Sequence, residues 1–245
     1  ELRSTLVVEA CDQDKPEYND WVLRQVKESD LLCGYIARAD LKGTEFLIHH
    51  RRYQRTGFLN GYRFRFDELN DYLNDPLARQ HLAILERQGL VIDLLIEASH
   101  ADDVVSLSRD FPRLKIVINH CFRAKIIDGD ISDELKRAIK KCAAQKNVFC
   151  KMSSINNFSE VAPFTDPAPT DLNYYLPVLD SVYDAFGANR LIFATNWGVS
   201  AHFGSVDNVK DVVMAYLKPK GQKVVDNVMF RNAMTFYNIK RKYLR

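Results

Sequence analysis

The stretch KIVINH, residues 115–120, has the composition of a buried β-strand that ends in a polar side chain. Six further runs share its short length and its content of β-branched and aliphatic residues: residues 5–10, 31–39, 58–66, 91–98, 148–153 and 190–196. Runs as short and as continuously apolar as these are typical of strands buried on both faces of a parallel sheet. The sequence therefore predicts seven parallel strands.

Amphipathic segments separate the predicted strands. Apolar residues recur at helical spacing in residues 21–27, 77–88, 135–145 and 174–186, and a last helix is predicted over residues 220–239. Asp75 followed by Pro76 is a helix start signal, and Gly89 stands where that helix should stop. The strand starts lie about 25 to 40 residues apart, which leaves room for a right-handed crossover through a helix each time.

This alternation predicts an α/β fold, and we expect a (β/α)₈ TIM-type barrel that lacks its first strand in this chain. Seven strands are one short of closure, and residue 1 lies just before the first of them, so an upstream segment is expected. The alternative is an open doubly wound sheet, but no glycine-rich turn that would bind a phosphate follows residues 5–10. With 245 residues, 47% of them hydrophobic, the chain fits a single domain over residues 1–245.

Charge and composition exclude several classes of partner. The 34 basic and 32 acidic residues give a formal net charge of +2, which is too small to indicate binding to nucleic acid or to an anionic membrane. No apolar run approaches the roughly 20 residues that span a bilayer, and the amino terminus has no signal-peptide pattern.

The five cysteines are odd in number and lie in apolar runs, which predicts reduced, buried thiols. The sequence therefore predicts a cytoplasmic protein with a small-molecule partner, and a homo-oligomer is left open.

Polar residues at the strand ends are the candidates for chemistry, because catalytic groups of (β/α) barrels project from the carboxyl ends of the strands. An imidazole at His120 can serve as ligand, general acid or hydrogen-bond donor. Arg63 and Arg65 are two residues apart in one strand, so they face the same side and can clamp a carboxylate. The remaining candidates at or just after strand ends are Glu9, His100, Arg123, Lys151, Ser153, Asn196 and Trp197. The alternative for each is a polar side chain that only satisfies backbone groups or caps a helix.

The other histidines are interpreted as structural. His49 and His50 are adjacent in an amphipathic segment, and neighbouring side chains on a helix point about 100° apart, so they do not converge on a metal. His81 and His202 have no partner at ligand spacing. The long loop over residues 156–170 follows a strand and is expected to border the pocket.

Five segments carry a resemblance to a known family. In chain order they are Gly61-Tyr62-Arg63, the strand that ends in His120, Lys151-Met152-Ser153, Ala194-Thr195-Asn196-Trp197, and Phe230-Arg231-Asn232-Ala233 through Tyr237. Together they resemble the amidohydrolase-related family of TIM-barrel, metal-dependent hydrolases, which includes lactonases of sugar acids and dicarboxylates. Each motif is weak alone, but five in the correct order are a much stronger signal. The resemblance implies a hydrolase that opens a lactone by adding water to its carbonyl.

The resemblance also implies roles for the candidate residues. His120 would polarise the carbonyl or position water, and Lys151 and Asn196 would supply further hydrogen bonds. The residues expected to bind an anionic or lactone substrate are Glu9, Arg63, Arg65, Arg123, Ser153 and Trp197.

Two departures from the family pattern bear on the mechanism. The family's first strand carries a His-x-His pair, and these 245 residues contain none, so a divalent metal such as zinc on His120 is expected only if upstream histidines exist. Asn196 stands where many relatives have an aspartate. A neutral amide cannot take up a proton at pH 7 and is a poor ligand for a transition metal. The alternatives are therefore a decarboxylase or hydratase on the same barrel, or a catalytically degenerate barrel that acts as a binding protein.

Overall fold

The computed structural model describes residues 4–10 and 15–239, and within them each predicted run contains one strand. The strands are β1 (Thr5–Val8), β2 (Leu32–Ala37), β3 (Leu59–Arg65), β4 (Val91–Leu95), β5 (Lys115–Ile118), β6 (Val148–Met152) and β7 (Leu191–Phe193). The seven predicted strands are thus confirmed. Cys11 lies outside the described residues, and the other four cysteines are free and buried, as predicted.

The strand order decides between the two α/β folds. The strands hydrogen-bond in chain order from β1 to β7, and the pairs β1/β2, β2/β3 and β6/β7 are parallel. A doubly wound sheet reverses its strand order at a switch point. The sequential order of the described strands contains no such reversal, so the fold is of the (β/α) barrel type and the doubly wound alternative is wrong.

Helical segments connect the strands. They are α1 (Pro16–Glu28), α2 (Phe46–Arg55), α3 (Glu68–Asn74), α4 (Pro76–Arg87), α5 (Ala101–Asp110), the single turn α6 (His120–Arg123), α7 (Asp133–Ala143), α8 (Leu172–Phe186), α9 (Val206–Leu217), α10 (Gln222–Asp226) and α11 (Asn232–Phe236). Short 3₁₀ turns cover Ala98–His100, Ile155–Phe158, Ser200–His202 and Lys218–Lys220. In the described part of the chain, no helix is both long and apolar enough to cross a membrane.

Local signals account for the helix ends. The side chain of Asp75 accepts a hydrogen bond from the main-chain N–H of Ala78 at 2.8 Å, and Pro76 occupies the first turn of α4. Gly89 follows α4 with φ of +67°, a left-handed conformation that suits glycine. The predicted start and stop of this helix are therefore confirmed.

The terminal helix predicted over residues 220–239 is wrong in its continuity and its ends. Gly221, with φ of +100°, separates a 3₁₀ turn from α10, and one π-helical turn (Asn227–Arg231) lies between α10 and α11. The helix ends at Phe236, whose carbonyl accepts a hydrogen bond from the Lys115 ammonium at 2.9 Å, and Asn238 turns left-handed with φ of +54°. Apolar spacing alone predicted neither break.

The described chain divides into two compact units. The first unit comprises Glu1–Leu94, Ser106–Ile116 and Met234–Arg245, and the second comprises Leu95–Val105 and Val117–Ala233. The single domain expected over residues 1–245 stays a prediction.

Buried histidines of the first unit pack between elements, as the structural interpretation predicts. His50 contacts the Tyr62 hydroxyl through Nδ1 at 2.9 Å and the Gln88 side chain through Nε2 at 2.7 Å. Burial lowers the pKa of His50 below its ordinary value. His81 contacts the main-chain oxygen of Leu41 at 2.8 Å. Each ring therefore fills a packed site and satisfies a polar neighbour.

Gly61 in β3 allows the close approach of β4. A Cβ atom at this position would lie 2.1 Å from the Val91 carbonyl oxygen, so we expect Gly61→Ala to lower the free energy of unfolding by at least about 1–3 kcal/mol. Thermal denaturation measures the effect. Gly43→Ala is the matched control, because its Cβ would meet no atom closer than 3.3 Å. Equal melting temperatures for the two variants would contradict this account.

Candidate functional site

Left-handed backbone concentrates at the carboxyl ends of three consecutive strands in the second unit. The residues, with φ between +47° and +62°, are His120, Cys121, Phe122 and Arg123 after β5, Ser154 after β6 and Asn196 after β7. Each non-glycine residue in this region costs roughly 1–2 kcal/mol, and such strain persists only where the surroundings hold it. Strained backbone of this kind is typical of active sites, so these strand ends are the candidate site.

Burial and hydrogen bonds hold the turn α6 in its left-handed form. Cys121 and Phe122 are buried, and the Cys121 thiol donates to the Lys151 carbonyl at 3.4 Å. The main-chain N–H of Phe122 donates to the Asn119 carbonyl at 3.1 Å, and that of Ala124 donates to the Cys121 carbonyl at 3.2 Å. The turn is therefore anchored to β6 and is not a freely moving loop.

The side chain of His120 is held in one orientation. Its Nδ1 lies 2.7 Å from the Ser153 hydroxyl, and its main-chain N–H donates to the same hydroxyl at 3.3 Å. Both residues are buried, with His120 9% exposed. Because the hydroxyl contacts Nδ1, Nε2 is the ring nitrogen that would act on a substrate. Ser153 is thus placed to orient His120, and its predicted contact with substrate stays a prediction.

Asn196 and Lys151 lie at the neighbouring strand ends. The Asn196 amide donates from Nδ2 to the Ser154 hydroxyl at 3.0 Å, which fixes the side chain as a hydrogen-bonding group. Lys151 is buried and pairs with Ile192 across β6 and β7. Asn196 and Lys151 can supply hydrogen bonds, and their predicted catalytic roles stay predictions.

Arg123 and Trp197 are the exposed members of this site. Arg123 donates from Nη1 to a Glu97 carboxylate oxygen at 2.7 Å, and both side chains are about half exposed. An exposed pair contributes only about 0–1 kcal/mol, so an anionic ligand can compete for Arg123 at little cost. Trp197 is exposed, and its predicted contact with substrate stays a prediction.

The loop over residues 156–170 is fastened to the segment that follows β7. The main-chain N–H of Phe164 donates to the His202 carbonyl at 2.8 Å, and the two rings lie 4.1 Å apart. The N–H of Ala168 donates to the Phe203 carbonyl at 2.8 Å. His202 therefore holds the loop, which agrees with its structural interpretation.

The first unit holds a separate cluster of buried charges. Arg65 donates from Nη2 to both carboxylate oxygens of Glu9, at 3.0 and 2.9 Å. Arg63 donates from Nη1 to the main-chain oxygen of Glu9 at 3.2 Å. The two arginines therefore face the same side of β3, as their spacing predicts. Desolvation raises the pKa of Glu9 above its ordinary value, although the charges of Arg63 and Arg65 oppose that shift.

The sequence interpretation missed two members of this cluster, Asp93 and Tyr237. Asp93 is fully buried in β4, and its Oδ1 lies 3.8 Å from Nε of Arg63. The Tyr237 hydroxyl donates to Asp93 Oδ2 at 3.0 Å. Burial, together with the charge of Asp93, raises the pKa of that hydroxyl well above its ordinary value. The sequence signal that could have revealed Asp93 is an acidic residue inside an apolar run, because a buried carboxylate requires partners.

The described residues do not fit a zinc site by themselves. Residues 4–10 and 15–239 bring together no group of three or more His, Cys, Asp or Glu side chains that could hold a metal ion. Zinc sites use three or four such ligands. His120 is turned toward a serine, and the carboxylates of Glu9 and Asp93 face guanidinium groups. A metal on His120 would need ligands from outside the described residues.

Sequence comparisons give one family and a lactonase relative. Residues 6–239 match a family model described as amidohydrolase. L-fucono-1,5-lactonase from Burkholderia ambifaria is 27% identical over 208 residues, which are 83% of this chain and 68% of that protein.

Comparisons with solved structures give the same fold. An amidohydrolase from Burkholderia multivorans superposes with a TM-score of 0.84 with HEPES bound and 0.81 with zinc bound, at 19% identity in each case. A probable 2-pyrone-4,6-dicarboxylic acid hydrolase from Acinetobacter baumannii, with citric acid bound, gives 0.76 at 14% identity. All three alignments cover 97% of this chain and 84% of the other chain. At these identities the likeness shows the fold, and the prediction of a TIM-type barrel is confirmed.

Proposed function

Since this chain belongs to the amidohydrolase family and is a hydrolase, we propose that it opens the ring of a sugar-acid lactone by adding water to the carbonyl. The observation that carries the proposal is the His120 imidazole, held by Ser153 on a strained turn at a strand end. The similarity to an L-fucono-1,5-lactonase supports a sugar-acid lactone as the substrate class.

The proposed chemistry uses the two nitrogens of His120 differently. With the ring proton on Nδ1, the Ser153 hydroxyl accepts it, and Nε2 carries the lone pair that takes a proton from the attacking water. The imidazolium then returns this proton to the ring oxygen of the lactone as the acyl bond breaks. Lys151 and Asn196 are the proposed donors to the carbonyl oxygen, which becomes negative during water addition.

Substrate binding is assigned to the charged and exposed residues. We assign Arg123 to the polar or anionic end of the substrate, and Trp197 to its apolar ring face. In the first unit Arg65 engages both oxygens of Glu9, and substrate binding by Glu9, Arg63 and Arg65 stays a prediction.

The test is a hydrolysis assay on L-fucono-1,5-lactone, other aldonolactones and 2-pyrone-4,6-dicarboxylate, with acid release followed at constant pH. Parallel reactions contain added zinc or a chelator. We expect turnover of at least one sugar-acid lactone. No turnover of any lactone under either condition would refute the proposal, and carbon dioxide release from a hydroxybenzoate would replace it with a decarboxylase.

A further inference from the structure

A closed set of hydrogen bonds joins the carboxyl ends of β6 and β7 within the second unit. The Asn156 amide donates from Nδ2 to the Ser200 carbonyl at 2.8 Å, and the Ser200 main-chain N–H donates to the Asn196 carbonyl at 3.0 Å. The Asn196 amide donates back to the Ser154 hydroxyl at 3.0 Å. Ser154 and Asn156 belong to the same short turn after β6, so the segment after β7 is tied to that turn at two points.

Ser200 is the residue through which Asn156 reaches Asn196. It is fully buried, and its hydroxyl donates to the Thr195 carbonyl at 2.8 Å in addition to the N–H bond to Asn196. Asn196 adopts the left-handed backbone with φ of +52°. A residue other than glycine keeps such a conformation only where its surroundings hold it. Ser200 supplies two of the holding bonds, and Asn156 anchors Ser200.

The Asn156 amide carries a penalty that an apolar side chain of similar size would avoid. The residue is 3% exposed, and its Oδ1 is buried with no hydrogen-bond partner among the described residues. A buried acceptor without a donor has lost its hydration and gained nothing in return. Leucine would remove that penalty. The bond from Nδ2 to Ser200 is therefore what distinguishes asparagine at this position.

We propose that Asn156 is a positioning residue, which holds Ser200 and thereby aims the Asn196 amide at the carbonyl oxygen of the lactone. An amide nitrogen carries two hydrogens, and one of those on Asn196 goes to Ser154. The other is the hydrogen assigned to the substrate, and its direction depends on how the main chain of Asn196 is held. This inference rests on the proposed function in taking Asn196 as a donor to the substrate.

The structural test compares Asn156→Leu with Asn232→Leu. In a crystal structure of Asn156→Leu we expect the distance from Asn196 Nδ2 to Ser154 Oγ to lengthen from 3.0 Å to beyond about 3.5 Å. Asn232 makes the same kind of bond, donating from Nδ2 to the Leu191 carbonyl at 2.7 Å, but Leu191 is at the amino end of β7, away from Asn196. Asn232→Leu should leave the Asn196–Ser154 distance unchanged. If Asn156→Leu does not fold, Asn156→Ala, which also lacks the donor, takes its place.

Steady-state kinetics on the lactone substrate give the second readout. Asn156→Leu should lower kcat about tenfold with KM within about twofold, because a donor to the oxyanion acts in the transition state and its complete removal costs about 10²–10³-fold. Asn232→Leu should change neither constant. Asn196→Gly removes the donor and tolerates the left-handed backbone. In that background, Asn156→Leu should change kcat by less than about twofold, because the two residues act as one unit.

The outcomes separate this inference from the proposed function. An Asn196–Ser154 distance that stays at 3.0 Å in Asn156→Leu overturns the positioning role, whether or not the protein hydrolyses lactones. An effect confined to KM, or an equal loss of kcat with and without Asn196→Gly, also overturns it. If the unsubstituted protein hydrolyses no lactone but the distance lengthens, the proposed function fails and the hold of Asn156 on Asn196 stands.

Discussion

Arg63→Met is expected to lower the free energy of unfolding by about 3–5 kcal/mol, because it removes the guanidinium that faces the buried carboxylate of Asp93 and one of the two that face Glu9. Glu9 and Asp93 are buried, and each lies within 4 Å of the Arg63 guanidinium. For a chain of this size, such a loss lowers the melting temperature by about 6–20 °C, at roughly 2–4 °C per kcal/mol. Calorimetry or thermal denaturation measures it.

Arg52→Met is the control for this prediction. Arg52 pairs with Asp20 at 2.7 Å, but its side chain is 48% exposed, so its loss should cost less than about 1 kcal/mol. Similar melting temperatures for the two variants would show that the buried cluster contributes no more than a surface pair.

The destabilisation by Arg63→Met should also depend on pH. Desolvation already raises the pKa of Glu9 above 4.5, and removing a cation raises it further. When the folded-state pKa of an acid exceeds its unfolded value, the folded state binds more protons, and stability falls as pH rises through that interval. The difference between Arg63→Met and the unsubstituted protein should therefore widen above pH 4.5, and a constant difference from pH 4 to 8 would contradict it.

His120→Asn is expected to lower kcat on the lactone substrate by about 10²–10⁴-fold, the usual loss for a positioned acid or base. Asparagine is the informative replacement, because it tolerates the left-handed backbone that His120 adopts at φ of +53°. Loss of the Ser153 contact should cost only about 1 kcal/mol of stability. Turnover and a thermal melt of the same preparation measure both effects.

His81→Asn is the matched control for His120→Asn. His81 is also buried, and it also contacts a hydrogen-bonding group at short range, the Leu41 carbonyl at 2.8 Å. We expect His81→Asn to lower the melting temperature and to keep kcat per folded molecule. If His120→Asn shows that same pattern, His120 is a packing residue and the proposed mechanism loses its base.

Local patterns predicted the strands well because the strands are short, apolar and separated by amphipathic helices. The same reasoning placed Arg63 and Arg65 on one side of β3, since side chains alternate along a strand. The sequence did not reveal the left-handed turn α6. Histidine, cysteine, phenylalanine and arginine carry no turn signal in succession, and this conformation depends on the burial of Cys121 and Phe122 and on contacts with β6.

Contacts between distant residues account for the other features that the sequence did not predict. Tyr237 and Asp93 are 144 residues apart, so no local period could relate them. Asp93 lies inside the apolar run of residues 91–98, and only the rule that a buried acid needs a partner marks it as a member of a charged cluster. The C-terminal helix was predicted as one element because apolar spacing does not detect a π-helical turn or a lysine bound to terminal carbonyls.

The place of Tyr237 in the chain has a consequence for biosynthesis. Sequence-adjacent strands pair with each other, so each new strand emerging from the ribosome can join the strand made just before it. Arg63 and Asp93 are made before Tyr237, which follows Asp93 by 144 residues. At a translation rate of about 5–20 residues per second, synthesis of those 144 residues takes roughly 7–30 seconds. During that time the nascent first unit lacks the hydroxyl that contacts Asp93, so its charged interior reaches its final arrangement only after residue 237 has been made.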